Sequence, residues 1–255
     1  MREDLLQMIR EFPGNAGVIL GDPENPGFCY QEDQKIPSAS VIKLFILWEL
    51  YRQTENGEKS LTDQIVLTEE MKVGGFGVLT HLTGNPSLSL HDIATLMIIS
   101  SDNTATNILI DSLGIAQINA TCKKMGWNET ILGRKMMDFE AKAAGKDNYT
   151  SSRDTADFFK RLLSKEEEIS QQGREQMLEI LKGQQCNNKL PAQMNNSWPF
   201  AHKTGDLSKL EHDCGILYTA KGPKLLIVFT NELQSNLLGV EFQNKIGRWA
   251  DQNWQ

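Results

Sequence analysis

The 255-residue chain has only four cysteines, Cys29, Cys122, Cys186 and Cys214, scattered and without a C-x-x-C pair. That spacing excludes a dense disulfide framework and a structural zinc site, and it predicts reduced, mostly buried thiols. The four histidines are as dispersed, so no metal and no other cofactor is expected. Basic charge is in short supply: 26 Lys+Arg against 33 Asp+Glu leave a net charge of −7, with the signs interspersed. Such a chain has no field to gather phosphates, which excludes nucleic acid as the expected partner. Long apolar runs are also missing. The windows 41–50, 93–99 and 225–229 are short or broken by Lys43 and Glu49, so no membrane span is expected. The start, Met1-Arg2-Glu3-Asp4, is acidic and leads straight into an amphipathic stretch, the wrong order for a secretory signal. As the sequence stands the expected compartment is the cytoplasm; if a leader has been removed, it is the cell envelope or exterior. Internal repeats and low-complexity segments are absent.

With 40% hydrophobic and 23% charged residues, the chain can bury a full core as one large domain or two small ones. Leu5, Leu6, Met8, Ile9 and Phe12 recur at helical spacing before Pro13-Gly14. Short strands follow at 16–20 and 27–30 around a turn-forming cluster. From 39 to 52, apolar residues cover most of a helix surface, which predicts a helix deep in the core. Helical patterns dominate 90–100, 104–112, 115–124, 155–163 and 174–181. Strands return at 201–204, 214–219 and 225–230, and a helix over 237–249 closes the chain. The fold class predicted is α/β, with an antiparallel sheet drawn from both chain ends (1–38 and 190–255) and an inserted helical domain (39–189).

Three short motifs can carry chemistry. In Ser40-Val41-Ile42-Lys43, positions three apart share a helix face, so the Lys43 amine reaches the Ser40 hydroxyl. Lys43 sits among Val41, Ile42, Leu44 and Phe45, and a lysine whose proton affinity is lowered by burial and nearby positive charge can activate a serine. The helix N-terminus would favour the negative charge developing on an attacked carbonyl. Ser101-Asp102-Asn103 offers a proton relay, a buried acceptor and a substrate-binding amide; a helix cap starting a helix at Thr104 is a compatible reading. Lys203-Thr204-Gly205, on a strand entering a tight turn, presents a cation and a hydroxyl suited to a carboxylate, with a glycine that permits close backbone approach. A plain strand end is the alternative. His212-Asp213 invites a Ser-His-Asp reading, but neighbours on a strand point to opposite faces, so no triad through both is expected.

Order and spacing of the three motifs resemble those of the penicillin-recognising serine hydrolases, and nearly the whole chain is similar to a class A β-lactamase. The resemblance implies the two-domain β-lactamase/transpeptidase-like fold. It implies Ser40 as the acylated nucleophile, Lys43 as its base or proton relay, and Ser101 as the proton carrier to the leaving nitrogen. Asn103 would bind the substrate amide, Lys203 and Thr204 the substrate carboxylate, and the backbone N–H groups of Ser40 and Asp206, the residue following Gly205, would form the oxyanion hole.

One departure stands out against that family. A loop glutamate that activates the deacylating water normally lies two residues after an arginine; here the segment reads Arg134-Lys135-Met136-Met137-Asp138-Phe139-Glu140, and the position holds Met136. A thioether accepts no proton from water. Asp138 and Glu140 are the substitute candidates, with solvated surface carboxylates as the alternative. Arg134 is expected to pair with Asp147 or Asn148, and Ser151-Ser152-Arg153-Asp154 reads as a capping box. The glycine-rich stretch 73–78 lacks a P-loop lysine and is expected to line the cleft mouth. Three functions follow as expectations: a monomeric β-lactam hydrolase with slow deacylation; a D-alanyl peptidase or esterase on the same fold; or an acylated penicillin-binding receptor without turnover.

Overall fold

In the computed structural model, which describes residues 2–165 and 168–254, the two chain ends meet in one antiparallel sheet. Its strands are β1 (Asn15–Gly21), β2 (Phe28–Tyr30), β7 (Phe200–Leu207), β8 (Leu210–Thr219) and β9 (Gly222–Asn231), in the order β2-β1-β9-β8-β7. Register is set by apolar residues facing across strands: Val18 is opposite both Tyr30 and Val228, and Cys214 lies between Lys203 and Ile227.

Alternation along the strands splits the sheet into two faces. Val18, Leu20, Leu217, Leu226 and Val228 pack against the terminal helices α1 (Arg2–Arg10) and α9 (Asn236–Asn253), through Leu5, Ile9, Phe242, Ile246 and Trp249. Ile19, Ala201, Cys214, Ile227 and Phe229 face the middle of the chain and share one continuous core with it. Each such aliphatic or aromatic side chain taken fully out of water contributes about 1.5–3 kcal/mol. The larger core therefore crosses the sequence boundary near 38 and 190.

The middle is helical, as its 3.6-residue periodicity predicts. It contains α2 (Lys43–Glu55), α3 (Leu90–Ile99), α4 (Asn103–Leu113), α5 (Ile115–Met125), α6 (Phe139–Ala143), α7 (Ser152–Leu163) and α8 (Gln171–Lys182). The most enclosed is α2: Phe45 and Trp48 meet the Trp127 ring at 5.0 and 5.4 Å between centroids, both edge-on. Its one buried carboxylate, Glu49, accepts from Arg52, Gln53 and Thr121. The expected helix from residue 39 begins instead as a 3₁₀ turn over Ala39–Ile42, and regular α-helix starts only at Lys43. A two-stranded antiparallel ladder of β4 (Gln64–Val66) and β5 (Ser87–Ser89) was not visible in the sequence, because its short strands are separated by a long connection instead of a tight turn like that between β1 and β2. β3 (Ile36–Pro37) pairs with β6 (Tyr149–Thr150), fastening the approach to Ser40 to the end of the 134–148 loop. Among the described residues no helix is long and apolar enough to cross a membrane. None of the four cysteines is in a disulfide; Cys122 and Cys214 are buried, whereas Cys29 is exposed and Cys186 half-buried, so burial of the thiols is less general than expected.

Candidate active site

Ser40 sits on the tight 3₁₀ turn between sheet and helices, half-buried, and lines a cleft cavity of about 250 Å³. Three neighbours hold the turn. Ser38 N–H donates to Asn148 O at 2.9 Å. The His212 ring is buried, its Nδ1 accepts from Thr230 N–H at 3.2 Å, and its Nε2 donates to Pro37 O at 3.0 Å. That pattern requires a neutral ring, and burial pushes its pKa down to about 4. Gly205 supplies the third contact: a Cβ there would meet Ser38 O, Ala39 Cβ and Val41 Cγ2 at 3.2 Å each. The glycine of the third motif thus lets β7 pass close to the Ser40 turn. Ala39 is held at φ +46°, a conformation that costs a non-glycine residue about 1–3 kcal/mol.

Lys43 is fully buried and donates to Ser101 O at 2.7 Å, to Ser101 Oγ at 3.1 Å and to Asn103 Oδ1 at 3.1 Å. The contact with Ser40 anticipated from i,i+3 spacing is replaced by these three; Ser40 Oγ makes no hydrogen bond among the described residues. Lys203, also fully buried, reaches the same Ser101 Oγ at 3.1 Å and Thr204 O at 2.8 Å. Ser101 Oγ therefore bridges two amines. Burial lowers the pKa of both, and the Lys203 charge lowers Lys43 further, well below the ordinary lysine value, while Lys203 falls to about 8. Thr204 Oγ1 is buried without a partner, a hydroxyl left free to bond a ligand.

Asp102 plays the structural part expected of the middle residue. Its buried carboxylate accepts from Ala105 N–H as the cap of α4, and from Val78 and Leu79 N–H. The glycine-rich segment is thereby drawn over the cleft, where Asn103 Nδ2 donates to Gly74 O and Asn103 N–H to Phe76 O. Gly75 and Phe76 line the Ser40 cavity.

Asp206 also lines this cavity, but its carboxylate is engaged. Buried Lys189 donates to Asp206 Oδ1 at 2.8 Å, and its Nζ lies 2.6 Å from Glu211 Oε2. Asp206 and Glu211 are cross-strand partners. Burial alone would lower Lys189; the two carboxylates outweigh it and hold the amine above its ordinary value. Burial likewise opposes ionisation of Asp206, yet Lys189 brings its pKa below the usual carboxylate range, while burial dominates at Glu211 and raises it.

The opposite wall is the loop 134–148. Arg134 pairs with Asp147 at 2.8 Å, and Asn148 Oδ1 accepts from Gly133 and Arg134 N–H, so both expected partners are used. Met136 is clamped through its backbone: Asn107 Nδ2 donates to Met136 O at 3.1 Å and Met136 N–H donates to Asn107 Oδ1 at 2.8 Å. Met136 is among the residues lining the Ser40 cavity, beside Met137 and Phe139. Asp138 caps α6 by accepting from Ala141 N–H, and it lines the adjoining cavity; Glu140 is exposed on α6. Neither is among the residues lining the Ser40 cavity, whose carboxylates, Asp147 and Asp206, are each ion-paired.

The structure thus gathers Ser40, Lys43, Ser101, Asn103, Lys203, Thr204, Gly205 and Asp206 at one cleft. Sequence reasoning missed Asn107, Lys189 and His212's tie to Pro37. Asn107 lies four residues after Asn103 on the same helix face, a signal that was available; a lone lysine in a polar stretch gave none for Lys189. His202 and Asp213 pair at 2.7 Å on the sheet face turned away from His212, so no serine–histidine–aspartate relay forms through His212-Asp213.

Fold and cleft set the Ser40 turn beside two buried lysines that share the Ser101 hydroxyl. A sequence profile described as "Beta-lactamase enzyme family" matches residues 1–254, and the chain belongs to that family. It is 28% identical over 181 residues to β-lactamase AER-1 of Aeromonas hydrophila, a match spanning 69% of this chain and 59% of that enzyme. It is 23% identical over 236 residues to a β-lactamase of Bacillus licheniformis, spanning 91% and 76%. Among solved structures, a β-lactamase of Sphaerobacter thermophilus superposes with TM-score 0.88 at 30% identity, covering 98% of this chain and 95% of that one. PBP-A superposes with TM-score 0.88 at 26% identity, covering 98% and 94%. A leucine-to-glutamate variant of PBP-A is described as an acyl-enzyme complex with penicillin G.

Proposed function

We propose that this protein is a penicillin-recognising serine acyl-enzyme that opens β-lactam rings through Ser40 and releases the acyl group slowly. The observation that carries the reading is Met136, clamped by Asn107 at the wall of the Ser40 cavity where a water-activating carboxylate would be needed. In the acylation half, Ser40 Oγ attacks the lactam carbonyl and its proton passes to Lys43, whose burial favours the neutral amine. Backbone N–H groups of Ser40 and Asp206 would hold the oxyanion. As the C–N bond breaks, Ser101 Oγ, in contact with both lysines, delivers a proton to the leaving nitrogen. The substrate carboxylate would lie against Lys203 and the unpartnered Thr204 hydroxyl, with Asn103 on the substrate amide. No cofactor is required, and the protein is taken to act as a monomer.

Deacylation lacks a matching part. Asp147 and Asp206 are tied to cations, Asp138 is a helix cap and Glu140 is exposed. The likeness to PBP-A, a variant of which is described as an acyl-enzyme complex with penicillin G, supports the acylation half of the reading. Intact-mass spectrometry after penicillin exposure tests it: a burst of one adduct that persists is expected, and Ser40→Ala should show none. Rapid turnover without a burst would overturn the slow-release reading and make Glu140 or Asp138 the substitute base. A second reading, an esterase or D-alanyl peptidase, draws on the apolar cleft rim at Phe76, Met137 and Phe139. Steady-state rates on a chromogenic cephalosporin against an acyl-D-Ala-D-Ala peptide and an ester separate the two.

A further inference from the structure

Beside the Ser40 cavity lies a second one of about 680 Å³, within the size range of small-ligand sites. Its floor is α4 at Ile108 and Ser112, one wall is Met71 and Val73, and the other is Met136 and Met137. The last two line the Ser40 cavity as well, so Met136 and Met137 are a shared partition. Because the Met136 backbone is fixed at both its N–H and C=O, any adjustment of that partition falls to flexible side chains, and methionine readily repacks. Four of the nine exposed large apolar side chains among the described residues, Met71, Phe76, Met137 and Phe139, belong to residues that line one or both of these cavities. Concentrated exposure of this kind marks a binding surface.

The charged part of the rim is acidic. Lys135 pairs with Asp111 at 2.5 Å, leaving Glu70 and Asp138 as excess negative charge on the lining. We propose that this cavity is a subsite for the acyl portion of the substrate, taking an apolar chain whose far end carries an ammonium group. The assignment to the acyl portion rests on the function proposed above; the cavity's preference for a cationic amphiphile does not.

Two measurements test it. With methyl-¹³C methionine in the full chain, n-octylammonium should shift the Met71, Met136 and Met137 resonances, and bind about three- to fivefold more tightly than n-octanesulfonate, the scale of an exposed charge interaction. Ser112→Trp, which fills the floor, should abolish the shifts; Glu70→Gln on the surface should narrow the charge preference and serves if Ser112→Trp does not fold. Shifts confined to Met8, Met125 or Met194, or equal binding of the two amphiphiles, would overturn the proposal. In the kinetic arm, a nitrophenyl 8-aminooctanoate should acylate Ser40 at least about tenfold faster than the acetate, given about 0.8 kcal/mol per buried methylene. Ser112→Trp should bring that ratio near one with the acetate rate unchanged. Equal rates in the wild type would overturn the subsite. No acylation by either ester, with the methionine shifts intact, would instead sink the acyl-enzyme function and leave the cavity's ligand preference standing.

Discussion

Across the cleft, one wall presents Lys43 and Lys203 without exposed surface, joined through one hydroxyl, while the other presents two thioethers, an exposed phenyl ring and carboxylates already committed elsewhere. Burying an ammonium without a counter-charge is expensive, and both amines respond by losing proton affinity. Lys189, in the segment that precedes β7 and within hydrogen-bond reach of Gly205 O, shows the opposite outcome because two carboxylates surround it. The contrast separates two jobs. The Lys43 side is prepared to take up and pass protons; the loop side excludes water-activating charge and offers apolar contact instead. Under the function proposed above, that division would serve acylation better than deacylation.

The largest effect should come from the proton-handling wall. Lys43→Met, close in shape and fully buried, should slow acylation at least about 10²-fold while leaving thermal unfolding cooperative. A stopped-flow acylation rate that stays unchanged would show that Ser40 is activated by another group, and the contrast between the walls would lose its meaning. On the other wall, Met136→Glu should speed deacylation by about 10²-fold, the lower end for a positioned general base. Decay of the adduct in the mass spectrum is the readout, and an unaltered lifetime would mean that the loop does not aim position 136 at the acyl carbon.

Lys203→Ala should weaken capture of carboxylate-bearing substrates by about 1.5–3 kcal/mol, with a much smaller loss on a neutral ester. Equal losses would assign Lys203 to proton transfer or structure. The pH profile sharpens the same point. With a folded pKa of about 8, Lys203 loses its charge as pH rises, so kcat/KM for a carboxylate substrate should fall through that region while a neutral ester is spared. Stability moves the other way: between about 8 and 10.5 the unfolded chain holds the proton that the folded one has lost, so unfolding becomes harder as pH rises. Lys43 is lowered as well and contributes in both proteins, so denaturant titrations should show a slope steeper in the wild type than in Lys203→Met, by up to about one proton.

Much of this was legible in the residues. Periodicity gave the order of helices and strands because long elements impose it, and the three motifs lie where strand, 3₁₀ turn and helix start bring them to one cleft. The pairing of β4 with β5 left no pattern, because two short strands are joined there across a long connection without a tight turn. Ser40 and Lys43 look like a bonded pair in the sequence, yet Lys43 turns to Ser101 and Asn103, acceptors about sixty residues away that no local spacing reveals. Lys189 was invisible for the same reason, since its meaning lies in Asp206 and Glu211 on neighbouring strands.

The smallest effect, and the finest check on the two-wall picture, concerns the loop's own carboxylates. Glu140 is exposed on α6, and Asp138 directs one oxygen to Ala141 N–H as the helix cap. Glu140→Gln should therefore change the deacylation rate less than about twofold, as a surface substitution away from the chemistry does. Asp138→Asn should be similarly quiet, because asparagine caps a helix about as well as aspartate. Asp138→Ala would lose the cap, about 1 kcal/mol of stability, with the same deacylation rate. If either amide substitution lengthens the life of the acyl-enzyme tenfold or more, a loop carboxylate is reaching the acyl carbon through a rearrangement of the loop. The loop wall would then be a working half of the catalytic machinery, and Met136 a neighbour of the base instead of its replacement.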